Sequence, residues 1–322
     1  MEDKIVKIIN EMAEYLNVAQ MKKLQEVLLQ TFSESEAQKE QISNEEYLKL
    51  FLDAKKIEGC SERTIQYYRV TVERLLQTVD TPLRKMTTEE IRRDLVEYQK
   101  INNCGKVTID NVRRNISSFF SWLEEEDYIL KSPMRRIHKI KTKQPVKETI
   151  SDEAIERLRD NCKCARDLAM IDLLYSTGTR VGELVNLNIS EIDFEARECV
   201  VFGKGDKERR VYFDAKAKLH LQDYLRSRTD ANPALFVTLD APFDRLKISG
   251  VEIRLRELGR ELNLDKIHPH KFRRTMATRA IDKGMPIEQV QKILGHSQIG
   301  TTMQYAIVNQ NNVKTSHQKF IA

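Results

Sequence analysis

Toward its C-terminal end the chain places His270, Arg273, His296 and Tyr305 close together, in Pro269-His270-Lys271-Phe272-Arg273 and in Leu294-Gly295-His296 followed by Tyr305. Upstream lie Thr177-Gly178-Thr179-Arg180-Val181-Gly182-Glu183-Leu184 and the turn Gly203-Lys204-Gly205-Asp206-Lys207. A guanidinium presents a planar fork that matches two phosphate oxygens. An imidazole exchanges protons near neutral pH, and a deprotonated phenol is a nucleophile. Together these groups are equipped to move a phosphodiester onto a tyrosine oxygen. A free tyrosine, with a pKa of about 10, is only about 0.1% phenolate at neutral pH, so such attack needs a base and cationic surroundings. A positioned acid or base contributes about 10²–10⁴-fold, and arginine and histidine donors stabilise the charge of a pentavalent transition state. The sequence has no GxxxxGK[ST] loop and no acidic cluster shaped for Mg²⁺. That fits transesterification, in which the phosphotyrosyl bond conserves the energy of the broken phosphodiester. No cofactor and no metal are expected.

Each residue taken singly reads more simply as structure. Arg180 follows a helix end at Gly178 and could be a surface arginine paired with Glu183. His270 and Arg273 stand at i and i+3, and Pro269 suits the first helical position, so both fall on one helix face where they can meet one anion. His268 competes with His270, but it precedes a proline and is expected in extended backbone. Lys204 sits in a tight turn as a mobile cation for a phosphate or a leaving oxygen, with Lys207 its rival. His296 follows a glycine at a helix end, and Tyr305 is expected inside a short helix led by Thr301-Thr302.

The elements that must position these groups can be traced along the chain. Residues 3–31 carry apolar residues at helical spacing, and Ser33 to Gln41 is a polar stretch expected to be a linker. Ser43, with Glu46 three residues on, begins a helical block, with further helices over 62–78, 87–100 and 106–126. Residues 42–130 thus form a small helical domain, with Phe119, Phe120 and Trp122 in its core. Residues 131–147 hold seven Lys/Arg, no acid, Pro133 and Pro145, and are expected as an extended basic linker able to neutralise phosphates. The second domain, 148–322, opens with a helix start at Ser151 and a buried helix over 167–176. A β-hairpin follows, with strands 198–202 and 209–213 about the Gly203–Glu208 turn, and then helices over 215–227, 249–263, 270–283, 286–294 and 299–308. The fold class is therefore mainly α with a small antiparallel β-sheet in the second domain.

A formal charge of +5 on 322 residues is too mild to establish nucleic-acid binding by itself. Its distribution says more, since residues 1–41 carry eight acids against five Lys/Arg while 131–147 are purely basic. The five cysteines are scattered, with no matching pair at zinc-ligand spacing, and read as reduced thiols of a cytoplasmic protein. No signal peptide and no membrane span are evident, so no membrane partner is expected.

TGTRVGEL, GKGDKER, PHKFRRTMAT and LGHSQIGTTMQY, in this order and spacing, resemble the tyrosine recombinases of the phage integrase family, and the compact Xer-like members in particular. The resemblance covers about residues 43–308. It implies a SAM-like core-binding domain over 42–130 and a catalytic domain over 148–322, clamping duplex DNA. It implies Tyr305 as nucleophile, Arg180 and Arg273 as clamps on the scissile phosphate, and Lys204 as general acid for the leaving 5′-oxygen. His270 would exchange a proton with Tyr305, His296 would hydrogen-bond the phosphate, and Glu183 would support Arg180. Arg274 departs from the pattern, since relatives often carry a second histidine there. The implied activity is metal- and ATP-independent strand exchange at a specific double-stranded DNA site, through a 3′-phosphotyrosyl intermediate and a Holliday junction, by a homotetramer on two duplexes. The tail 308–322 would dock on a neighbour, and residues 1–32 of the N-terminal extension 1–41 would be a further DNA arm or a binding piece for a partner protein, their acidity weighing against direct phosphate contact. The alternatives are a DNA-relaxing relative with the same chemistry and a DNA-binding architectural protein that does not cleave.

Overall fold

The computed structural model describes residues 8–13, 15–39, 42–142, 148–203, 208–264 and 266–306. The chain divides into two compact units, Met1–Pro145 and Val146–Ala322. None of the described helices is long and apolar enough to cross a membrane.

The first unit is helical. Helix α1 (Val18–Lys39) runs through the stretch expected as a linker. Residues 33–39 contain Glu, Ala, Gln and Lys but neither Gly nor Pro, so nothing in the backbone stops the helix. Helices α2 (Asn44–Ile57), α3 (Glu62–Thr78), α4 (Thr88–Ile101) and α5 (Lys106–Glu125) follow. Their starts are chemically marked. Ser43 and Ser61 accept backbone N–H bonds from Glu46 and Thr64, and Thr87 closes a full capping box with Glu90. The apolar faces of α2 to α5 meet in one aromatic-rich core in which Phe51, Phe119 and Phe120 are wholly buried and Trp122 nearly so. Phe51 packs edge-on against Phe119 at a centroid distance of 5.2 Å.

Residues 131–142 differ from the extended linker expected of them. Met134 is buried, Ile137 and Ile140 pack on the core of the first unit, and Pro133–Arg136 forms a 3₁₀ turn. Their three-residue spacing supplies apolar anchors that outweigh the basic composition. The backbone is fastened as well, with Thr88 Oγ1 donating to Pro133 O and Ile140 N to Asp110 Oδ1.

The second unit is built around helix α7 (Ala165–Thr177), whose Ala169, Met170, Ile171, Leu173 and Leu174 are completely buried. Such an all-round apolar helix must be covered on every side. Helices α6 (Asp152–Asp160), α9 (Ala215–Ser227), α10 (Ile248–Glu261) and α11 (Pro269–Asp282) share its core. The acids it buries are paired, Asp172 with Arg159 and His220 and Asp167 with Arg166 and Arg254. Between α7 and α9 lie the short α8 (Val181–Asn186) and a sheet of three antiparallel strands, β1 (Ile192–Asp193), β2 (Glu198–Phe202) and β3 (Glu208–Tyr212), in that order. Strand β1 was not apparent in the sequence, where two residues give no periodicity. The register pairs Cys199 with Val211 and Val201 with Arg209, and Cys199, Val201 and Val211 face the core while Phe202 and Tyr212 face outward. Helices α12 (Ile287–Leu294) and α13 (Ile299–Met303) close the described chain over a small cluster of Ala277, Val290 and Leu294.

Candidate active site

Two glycines shape the site. Gly178 ends α7 in the left-handed region (φ 61°), and Gly295 ends α12 the same way (φ 64°). Their surroundings are also close, because a Cβ on Gly178 would run into Met276 Cε and one on Gly295 would lie 2.8 Å from Arg209 Cδ. The turns bring backbone carbonyls against arginines. Gly178 O accepts from Arg273 Nη1 at 2.7 Å, and Gly295 O accepts from Arg180 Nη2 at 3.3 Å.

Arg180 caps the start of α8, and Glu183, one turn on, receives both its backbone N–H and its Nη1 at 2.7 Å. The same carboxylate takes both terminal nitrogens of Arg209 at 2.6 Å each. Burial alone would raise the Glu183 carboxyl, but the hydrogen bonds from Arg209 and Arg180 outweigh it and hold the group below the usual carboxylate range. Glu183 is therefore an anion between two guanidiniums, and Arg180 still keeps a third of its side chain exposed (33%).

Pro269 opens α11, and Arg273, one turn beyond His270, is nearly buried (2% exposed). Besides Gly178 O, it bonds Leu294 O and His296 Nε2, the latter at 3.1 Å. Burial and the like charge of Arg180 lower it to about 10, which leaves it cationic at neutral pH.

The tautomer of His296 follows from its partners. A guanidinium offers no acceptor, so Nε2 must meet Arg273 with its lone pair. The neutral ring then carries its hydrogen on Nδ1, which donates to Thr302 Oγ1 at 2.9 Å. Burial, with the charges of Arg273, Arg180 and Arg209, pushes His296 down to about 4, so the imidazole is neutral at physiological pH. Thr302 is completely buried, and its carbonyl accepts the N–H of Tyr305 at 2.9 Å. The Tyr305 ring stacks on His296 at a centroid distance of 6.0 Å and an interplanar angle of 28°. Tyr305 lies two residues past the end of α13, where an interior helical position was expected. Gln304 caps this five-residue helix, and the phenol is half-buried against the cluster of Ala277, Val290 and Leu294.

Arg180, Arg273, His296 and Tyr305 thus gather at one place in the second unit. His270 is exposed in the first turn of α11, and His268 precedes it in extended backbone (φ −156°). Lys204, its rival Lys207 and the tail 308–322 lie outside the described residues. Arg274 bonds Glu148 O. Sequence reasoning missed Arg209 and Thr302. A signal for Arg209 was present, because strand alternation from Val211 puts a charged residue on the core face of β3, where it needs a partner. Thr302 carried no such signal, since a buried threonine in a short helix reads as packing.

Two family models match the chain. The phage integrase family covers residues 148–312, and the phage integrase N-terminal SAM-like domain covers 47–130. The tyrosine recombinase XerC of Oceanobacillus iheyensis is 28% identical over 293 residues, 85% of this chain and 95% of the relative. That of Staphylococcus aureus is 29% identical over 276 residues, 82% of this chain and 92% of the relative. Among solved structures, the Tn1549 transposon integrase in complex with transposon right end DNA matches with a TM-score of 0.68 at 20% identity, covering 86% of this chain and 99% of the other. The XerH site-specific recombinase bound to a palindromic difH substrate matches with a TM-score of 0.66 at 18% identity, covering 99% and 95%. At that identity the two structures speak for the fold.

Proposed function

The chain belongs to the phage integrase family, and on that premise we propose how this site-specific DNA recombinase cuts and rejoins strands. The observation that carries the proposal is the convergence of two guanidiniums, one imidazole and one phenol, Arg180, Arg273, His296 and Tyr305, within a single unit. A binding protein has no need of that combination.

Arg180 and Arg273 hold the non-bridging oxygens of the scissile phosphate. Tyr305 Oη forms a bond to phosphorus as the P–O5′ bond breaks, which leaves a 3′-phosphotyrosyl link and a free 5′-hydroxyl. The phenol proton passes to His270, and Lys204 supplies the proton taken up by the 5′-oxygen. When the phosphate enters, Arg273 Nη2 turns from His296 to a phosphate oxygen. The negative charge beside the ring then favours protonation of Nε2, which becomes a donor to the phosphate. Attack by a 5′-hydroxyl from the partner duplex reverses the chemistry and exchanges strands. Four protomers on two specific duplexes complete the exchange through a Holliday junction, in the cytoplasm. The domains follow the division 42–130 for DNA binding, 131–147 as a basic connection whose Met134, Ile137 and Ile140 are fastened to the helical unit, and 148–322 for catalysis, with tail 308–322 docking on a neighbour and 1–32 available to a partner protein.

The test uses a nicked suicide duplex carrying the sequence that the protein selects from a random duplex library, without Mg²⁺ or ATP. A covalent protein–DNA adduct forms with the wild type and is absent with Tyr305→Phe, which still binds the duplex. Binding without any adduct from the wild type would favour the architectural alternative.

A further inference from the structure

We infer that Arg209 is a positioning residue for strand cleavage, locking the Glu183–Arg180 arm of the phosphate clamp to the end of α12. The inference rests on the reading of the site as a recombinase centre, and it adds a residue to which the family resemblance gives no role. Three observations carry it. First, Arg209 stands opposite Val201 on the core-facing side of β3, where strand alternation calls for an apolar residue, yet its side chain is only 10% exposed. Burying such a cation is costly unless it is fully partnered. Second, its terminal nitrogens take both oxygens of Glu183 at 2.6 Å, the fork geometry that only arginine supplies. Third, its Nε donates to Ile293 O at 2.8 Å, and the side chain lies against Gly295, whose positive φ and missing Cβ make room for it.

Arg209 therefore ties three parts together. These are strand β3, the carboxylate that holds Arg180, and the helix end that presents Leu294 O to Arg273, Gly295 O to Arg180, and then His296. With both oxygens of Glu183 engaged by Arg209, the carboxylate stays fixed in place, and Arg180 is held at one end while its exposed part meets the phosphate. Without Arg209, Glu183 is free to turn and take both nitrogens of Arg180, drawing that guanidinium away from its target.

The test compares the wild type, Arg209→Lys and Arg209→Gln on the selected suicide duplex with three scissile linkages. These are the ordinary phosphodiester, a methylphosphonate that lacks one negative charge, and a 5′-bridging phosphorothiolate whose sulfur leaves without a proton. Both variants should bind the duplex within about twofold of wild type. On the ordinary linkage they should form adduct about 30–100-fold more slowly, somewhat less than the direct loss of one oxyanion donor. On the methylphosphonate, which asks less of a guanidinium clamp, the deficit should shrink to about fivefold or less, and on the phosphorothiolate it should persist. Arg209→Lys keeps the positive charge, so its slowing isolates the fork geometry. The inference is overturned if Arg209→Lys cleaves within about threefold of wild type, if both variants lose duplex binding, if the deficit is equal on all three linkages, or if sulfur alone restores the rate. Sulfur rescue would mean that Arg209 serves the Lys204 hairpin. If the wild type forms no adduct on a duplex it binds, the recombinase reading itself fails.

Discussion

Replacing Glu183 with glutamine tests how much of the unit's stability is stored in the clamp. The carboxylate is 4% exposed and accepts four hydrogen bonds, two from Arg209 at 2.6 Å and two from Arg180 at 2.7 Å. A glutamine keeps the shape but removes the charge and turns an NH₂ toward guanidinium donors. Breaking a buried ion pair by removing one partner costs about 3–5 kcal/mol. For a unit of this length, each kcal/mol shifts Tm by about 2–4 °C, so Glu183→Gln should lower Tm by about 10 °C at pH 7. The pH dependence has a definite sign. The Glu183 carboxyl is held below its ordinary value in the folded chain, so its contribution is complete above the unfolded pKa of about 4.3. It is lost as the pH falls through the depressed folded value. Calorimetric melting of the full chain should show the whole gap between wild type and variant at pH 7 and a narrowing gap below about pH 4. A variant that melts within about 2 °C of wild type at pH 7 would refute the claim that this carboxylate holds two guanidiniums together.

Two further outcomes follow from the histidine. His296 should resist protonation in the free protein until about pH 4, so stability rises with pH between there and about 6.5, where the unfolded chain holds the extra proton. A histidine NMR titration reads this directly, and a midpoint near the unperturbed value would contradict the site's electrostatics. Thr302→Val removes the acceptor that fixes the Nδ1–H tautomer but keeps the imidazole, so adduct formation should slow about tenfold, less than the about 10²-fold or more that losing a positioned acid or base costs. Nitrogen shifts of the imidazole should then show a mixed tautomer, whereas an unchanged tautomer would show that Arg273 alone fixes the ring.

Much of this architecture was legible because local chemistry marked it. Ser43, Thr87 and Ser151 cap helices where capping residues precede apolar periodicity, and the strand over 198–202 and the helices over 62–78 and 215–227 have the bounds their patterns indicate. Sequence signals were weaker where long-range contacts decide. The docking of Met134, Ile137 and Ile140 turns a basic stretch into part of the helical unit, and a two-residue strand exists only through its pairing with β2. The site divides in the same way. Arg180, Arg273, His296 and Tyr305 announce themselves by type and order, whereas Arg209 and Thr302 acquire meaning only when β3 and α13 bring them to Glu183 and His296. The displacement of Tyr305 from a helix interior to the turn after α13 is likewise invisible to periodicity in so short an element.

The proposed cleavage makes Tyr305 Oη the atom that joins protein to DNA. Nuclease and trypsin digestion of the adduct, followed by mass spectrometry, tests it most directly. Trypsin releases residues 293–314 as one peptide, in which Tyr305 is the sole tyrosine. A nucleotide joined through its 3′-phosphate is expected on that tyrosine, and an unmodified peptide from Tyr305→Phe. A nucleotide on any other side chain, or an adduct that survives in the phenylalanine variant, would contradict it.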